Sequence, residues 1–233
     1  MNNYKLGIIG GMGPEATCDL YHRIIKHTSA NKDQEHIDMV ILNHASIIDR
    51  TFAIKNNMLD DLLNSLSEDL KILENSNVKH IAIPCNTCHT IYNRIQDLTS
   101  IPIINMVEET VKHINENRTS YSKIGLMATD GTVLSNMYQD WFKKYNLPVY
   151  IPEKQIQEEI MKIIYDDVKS KGIHDNDHFE AVLNHFLDNG CTHVILGCTE
   201  LSGFKKDYPN NTIDPMDILV KACIEKSGGT FKI

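Results

Sequence analysis

Much of this chain is written twice. Residues 4–14, YKLGIIGGMGP, run parallel to residues 122–132, SKIGLMATDGT, and residues 79–89, KHIAIPCNTCH, run parallel to 192–202, THVILGCTELS. The offsets are 118 residues from Gly7 to Gly125 and 113 from Cys85 to Cys198. Two independent matches at nearly one spacing point to a duplicated lobe, and 233 residues are enough for two compact lobes. A duplication also restricts the topology, because whatever path the first half takes through its sheet, the second half repeats.

The repeated units are short apolar runs followed by stretches of helical period. YKLGIIG, IDMVILN, KHIAIP and IPIIN read as buried strands in the first half, and SKIGLMA, PVYIP, THVILG and NTIDP in the second. Between them Leu59, Leu62, Leu63, Leu66, Leu70 and Leu73 recur at helical steps, with Asn57 as the expected N-cap. TVLSNMYQDWFKKY and IQEEIMKIIYDDVK have the same amphipathic pattern. Near-continuous apolar strands alternating with helices predict α/β architecture, with parallel sheets covered on both faces. The expected lobes are residues 1–117 with 211–233, and 118–210.

The duplication places Cys85 and Cys198 at equivalent strand ends, where open α/β sheets bind ligands. Lobes related by a pseudo-twofold axis would aim the two thiols at each other across a cleft. A thiol accepts a proton when ionised and donates one when protonated, and a helix N-terminus favours the anion. Two such groups on opposite faces of one carbon can invert a stereocentre.

Cys85 also begins a C-x-x-C-H run that ends in Cys88 and His89, which admits haem attachment, a redox dithiol or half of a zinc site. No second C-x-x-C completes a four-cysteine zinc site. The first residues, MNNYKLGIIGGMGPEAT, lack the charged leader and cleavage site of a signal peptide. A cytoplasmic location is therefore expected, with six reduced cysteines, which weakens the haem reading. No apolar stretch approaches bilayer length, and a formal charge of −8 argues against nucleic acid as a partner.

GIIGGMGPEAT, NHASIIDRT, IPCNTCH and VILGCTEL together resemble the aspartate racemase branch of the cofactor-independent aspartate/glutamate racemase superfamily. The resemblance runs in order across nearly the whole chain. It implies two Rossmann-like lobes with the active site in the cleft between them, commonly a homodimer. It also implies an amino-acid racemase that needs no pyridoxal phosphate or other cofactor. Cys85 and Cys198 would be the catalytic thiols of a two-base mechanism on aspartate, with glutamate or a broader range of amino acids as the alternative. Asn86 and Thr87 would hold a substrate carboxylate, and Thr199 would help with the α-carboxylate. Met12 would line the pocket floor, Arg50 and Lys169 would grip the distal carboxylate, and Glu200 would assist proton transfer at Cys198. Independently, a guanidinium suits bidentate carboxylate binding. Cys88 departs from the pattern, where a small residue such as alanine is usual, and it receives no catalytic role. A thiol redox or sensor protein using Cys85 and Cys88 is the reading from a different class.

Three motifs have simpler explanations. Gly11-x-Gly13-x-x-Ala16 has the form of a dinucleotide fingerprint, but the next strand ends in Asn43 and His44 rather than an acidic residue. Instead it reads as a tight turn offering backbone N–H groups to a small carboxylate, with Pro14 and Glu15 opening a helix. His174 and His178 in HDNDH read as a polar loop, with Asp175 or Asn176 capping the next helix, and not as a metal site. His89 reads as a solvated or core histidine.

Overall fold

All eight apolar runs form strands, and these assemble into two separate parallel sheets. The structure, a computed structural model, describes residues 4–117 and 123–233. In the first unit β1 (Leu6–Gly10), β2 (Met39–Asn43), β3 (His80–Ala82) and β4 (Ile103–Ile104) lie in the order β2-β1-β3-β4. In the second, β5 (Ile124–Ala128), β6 (Val149–Tyr150), β7 (His193–Gly197) and β8 (Thr212–Ile213) lie in the order β6-β5-β7-β8. The path is the same in both. The central strands β1 and β5 are buried at every residue, which is why they read as unbroken apolar runs.

In the first unit α1 (Pro14–His27) starts with proline in its first turn and Glu15 at its positive end. The short α2 (Arg50–Lys55) is capped by Asp49, whose side chain accepts the Phe52 N–H at 2.9 Å. The long α3 (Leu59–Asn75) lays Leu62, Leu66, Leu70 and Leu73 against β1 and β3. Each of these leucines, fully buried, contributes about 1.5–3 kcal/mol. Asn57 does not cap α3: it sits at φ +56°, and Met58 occupies the cap without a side-chain bond. After β3 come a 3₁₀ turn (Thr87–Ile91), α4 (Tyr92–Gln96) and, beyond β4, α5 (Met106–Glu116).

In the second unit the segment expected as one helix is two, α6 (Asp130–Leu134) and α7 (Met137–Lys144). Asn136 at φ +56° turns the chain between them. The run IQEEIMKIIYDDVK starts as α8 (Lys154–Lys162) and continues as a π-helical turn (Ile163–Lys169). Asp175 caps α9 (Asn176–Asp188), accepting the His178 N–H at 3.1 Å. A 3₁₀ segment (Thr199–Lys206) follows β7, and α10 (Pro215–Lys226) closes the chain.

The compact units are Met1–Glu109 with Met216–Ile233, and Thr110–Pro215. The border expected at 210/211 therefore moves, because β8 pairs with β7 through Val194↔Thr212 and Ile195↔Ile213. Only past Pro215 does the chain rejoin the first unit, where Met216, Leu219, Val220 and Cys223 pack with Leu6, Ile8, Leu20 and Ile24. The other border falls inside α5; the expected start of the second lobe at residue 118 lies outside the described residues. Among the described residues no helix is long and apolar enough to cross a membrane.

Candidate active site

In the first unit β3 ends in a tight turn, with the Cys85 N–H donating to Ile83 C=O at 2.8 Å. Cys85, only 6% exposed, therefore stands at the C-terminal edge of the sheet, followed by the buried Asn86 and Thr87. His89 fixes this turn from behind. Its Nδ1–H donates to the Cys85 carbonyl at 2.9 Å, while Nε2 accepts the Met106 N–H at 3.2 Å. These roles suit the neutral ring, and burial pushes its pKa below 6.5. The histidine of the C-x-x-C-H run is thus a core bracket.

Arg50 arrives from the first turn of α2 and is 8% exposed. Its Nη1 donates to Ile48 C=O at 3.2 Å and its Nη2 to Met12 C=O at 3.1 Å, which fixes the guanidinium beside Cys85. Burial opposes its charge, but Cys85, then Asp49 and Cys88, outweigh burial and raise the guanidinium pKa. The buried Nε has no hydrogen-bond partner among the described residues, a donor that a bound anion would satisfy. Met12 is a buried residue whose carbonyl holds Arg50. The Gly11 N–H is already taken by Thr17 Oγ1 at 2.9 Å, so it is not free to bind a carboxylate.

Cys88 is fully buried, and its thiol is pushed far up by burial and by Cys85, with Arg50 opposing. A thiol held protonated in the core is a poor redox partner.

In the second unit Cys198, also 6% exposed, caps the 3₁₀ segment after β7, the position equivalent to Cys85. Its Sγ–H donates to Glu200 Oε2 at 2.7 Å, and Thr199 Oγ1 donates to the same oxygen at 3.3 Å. Lys169, the last residue of the π turn, lies with Nζ 3.7 Å from Glu200 Oε1 and 4.2 Å from the Tyr165 ring centroid. Burial and then the Glu200 charge raise the Cys198 pKa well above its usual value, with Lys169 pulling the other way. Cys198 thus rests as a thiol bonded to a carboxylate, whereas Cys85 has a cation for its neighbour.

Residues 9–223 match the Asp/Glu/Hydantoin racemase family. The chain belongs to that family. It is 30% identical to the aspartate racemase of Picrophilus torridus and superposes on it with a TM-score of 0.86, covering 98% of this chain and 96% of that one. It is 27% identical over 229 residues to the broad specificity amino-acid racemase RacX of Bacillus subtilis (strain 168), covering 95% of each. It is also 26% identical over 189 residues to a glutamate racemase of Hydrogenobaculum sp. (strain Y04AAS1), covering 77% of this chain and 66% of that relative.

Within this racemase-family fold the expected residues gather as two groups. Met12, Arg50, Cys85, Asn86 and Thr87 belong to the first unit; Lys169, Cys198, Thr199 and Glu200 belong to the second. Elsewhere His178 lies between Asp167 and Glu159, each at 3.1 Å, and His174 packs edge-on against Phe204. Among the described residues no group of three or more His, Cys, Asp or Glu is arranged to hold a metal. The sequence reading misses Tyr165, the ring over which Lys169 rests, and the pairing of His44 with Asp69. Asp69 carried a signal: it stands three residues after Leu66 on the buried stripe of α3, where a carboxylate needs a partner.

Proposed function

We propose that this protein interconverts L- and D-aspartate without a cofactor, using Cys85 and Cys198 as the two acid/base groups. One observation carries the reading: at equivalent strand ends stand two nearly buried thiols, one beside a guanidinium and one bonded to a carboxylate. In one direction the Cys85 thiolate removes the α-proton, forming an S–H bond and leaving the C–H electron pair on the substrate. The Cys198 thiol then delivers its proton to the opposite face and becomes the thiolate. In the other direction the Cys198 thiolate removes the α-proton and the Cys85 thiol delivers its own; between turnovers Glu200 takes or returns the Cys198 proton and solvent supplies or takes the one at Cys85. The mechanism requires both sulfurs to reach one carbon from opposite sides.

Arg50, with its unsatisfied Nε, and Lys169 are suited to the distal carboxylate. Asn86, Thr87 and Thr199 hold the α-carboxylate, where donors stabilise the charge that develops as the proton leaves. The match to RacX supports a second reading, with the same chemistry on a wider set of amino acids. Arg50 favours an acidic side chain, but one methylene is weakly discriminated, so glutamate remains the nearest competitor.

The test is α-proton exchange in D2O, followed by NMR for L-aspartate, L-glutamate and a panel of neutral and basic amino acids. Exchange confined to aspartate supports the first reading, and exchange across the panel supports the second. No exchange of any substrate by fully reduced protein overturns both. Cys85→Ala and Cys198→Ala should each abolish racemisation, and full activity in either refutes the two-base assignment.

A further inference from the structure

A zwitterionic amino acid presents an ammonium group, which calls for a strong acceptor, and the groups assigned to the substrate above are chosen for its two carboxylates. Glu200 is the one carboxylate among them, and its oxygens are engaged by Cys198, Thr199 and Lys169. We infer that His44, held by the buried Asp69, is the acceptor for the substrate's α-ammonium. The inference rests on the proposed racemase reading and adds a residue to its site.

Both Asp69 oxygens meet His44 Nδ1, at 3.0 and 3.2 Å, and the Asp69 side chain is only 7% exposed. A carboxylate facing a ring nitrogen accepts its hydrogen, so Nδ1 is the N–H side of the ring, and the tautomer this selects has its lone pair at Nε2. Nε2 has no partner among the described residues and is not buried, since 29% of the side chain is exposed. One nitrogen is locked by a buried anion and the other is left open as an acceptor. This is how a second group orients a binding imidazole.

Strand register places it on the right edge. Ile8 pairs with Ile41 on one side and with Ala82 on the other. Three residues past this level β1 leads to Gly11 and β2 to His44 at the C-terminal edge, and Cys85 follows β3 at the same edge after its tight turn. The His44 N–H donates to Gly10 C=O at 3.2 Å, extending the β1–β2 ladder past β2. Gly11 packs directly on the His44 backbone, and the next residue, Met12, holds Arg50 beside Cys85 through its carbonyl. An amino acid with its α-carbon at Cys85 can then extend its ammonium toward Nε2.

The test compares ligands that differ by that one group. Calorimetry with L-aspartate and with succinate, its counterpart lacking the amine, is run on the wild type, His44→Asn and His44→Gln. Racemisation has no net heat, so the signal is binding alone. His44→Asn keeps a side-chain N–H for Asp69 but removes the Nε2 acceptor. Aspartate binding should weaken about 10- to 100-fold, as for a lost hydrogen bond to a charged group, while succinate changes by less than about twofold. His44→Gln, whose amide oxygen can occupy the Nε2 position, should recover part of the loss. Equal weakening of both ligands makes His44 a structural anchor and overturns the inference, as does no change in either. Wild-type protein that exchanges no α-proton overturns the racemase reading, which is a separate outcome.

Discussion

Replacing Glu200 with glutamine separates the acidity of Cys198 from its usefulness. The carboxylate accepts the Cys198 S–H at 2.7 Å, inside the range at which a general base works. Burial comes first and the Glu200 charge second in raising the thiol's pKa. Glutamine keeps the shape and removes the charge, so the thiol should ionise more readily, and alkylation of Cys198 by iodoacetamide should move to lower pH. Turnover should nevertheless fall, because an amide cannot take the proton that Cys198 must lose before it acts as a base. Positioned general bases contribute about 10²–10⁴-fold. The lower end, about 10²-fold or roughly 2.7 kcal/mol of barrier, is expected because glutamine still orients the thiol. The assay is polarimetry from each enantiomer, with mass-mapped alkylation of Cys198 across pH. Enantiomers are equal in energy in achiral water, so kcat/KM must fall equally in both directions, which is an internal control. Undiminished turnover in Glu200→Gln would reduce Glu200 to a packing partner. Alkylation displaced to higher pH would refute the electrostatic reasoning itself.

Three further outcomes follow from features away from Glu200. Cys88→Ala should lose about 1 kcal/mol on thermal unfolding, as for a small group removed from the core, and keep its racemisation rate; a large loss of rate would give Cys88 a role in the chemistry. Gly11→Ala should be strongly destabilised, by about 3 kcal/mol, because Gly11 has φ +93° and an added Cβ would lie 2.4 Å from the His44 backbone; denaturant titration near wild type contradicts this. Burial lowers the pKa values of His80, His89 and His193 below 6.5, so the unfolded chain binds more protons as pH falls through that value. Their contribution to stability is therefore complete above about pH 6.5 and is lost progressively below it. His89→Gln should flatten that acid limb in melts across pH, and an unchanged limb would exclude His89 as a source.

The central strands β1 and β5 were legible because they are buried at every residue, so burial writes itself as continuous apolar residues. The repeat then supplied what periodicity lacks: that Cys85 and Cys198 hold the same position in the same path. Local conflicts were harder to see. Ser135 and Asn136 fit the polar face of a helix, and nothing in their types announces the left-handed residue that splits α6 from α7. The π turn leaves no residue signature either, because a shift in hydrogen-bond register preserves an apolar pattern such as Ile160, Ile163, Ile164 and Val168. The closing of Arg50 onto Met12 and Cys85 depends on three loops meeting at one sheet edge, a property of topology that no single segment contains. Asp69 was legible in principle, as the odd carboxylate on a leucine stripe.

The opposite charges beside the two cysteines have a consequence for how such a protein can arise and be rebuilt. A chain made by repeating the first half would have two thiols, each beside a guanidinium; one made by repeating the second would have two thiols, each bonded to a carboxylate. Neither would have the unlike neighbours that the two thiols of this chain have. The two halves reach their charged neighbours by different elements, Arg50 from the helix after β2 and Glu200 from the segment after β7, so each thiol has its own setting for the one proton they share on the proposed chemistry.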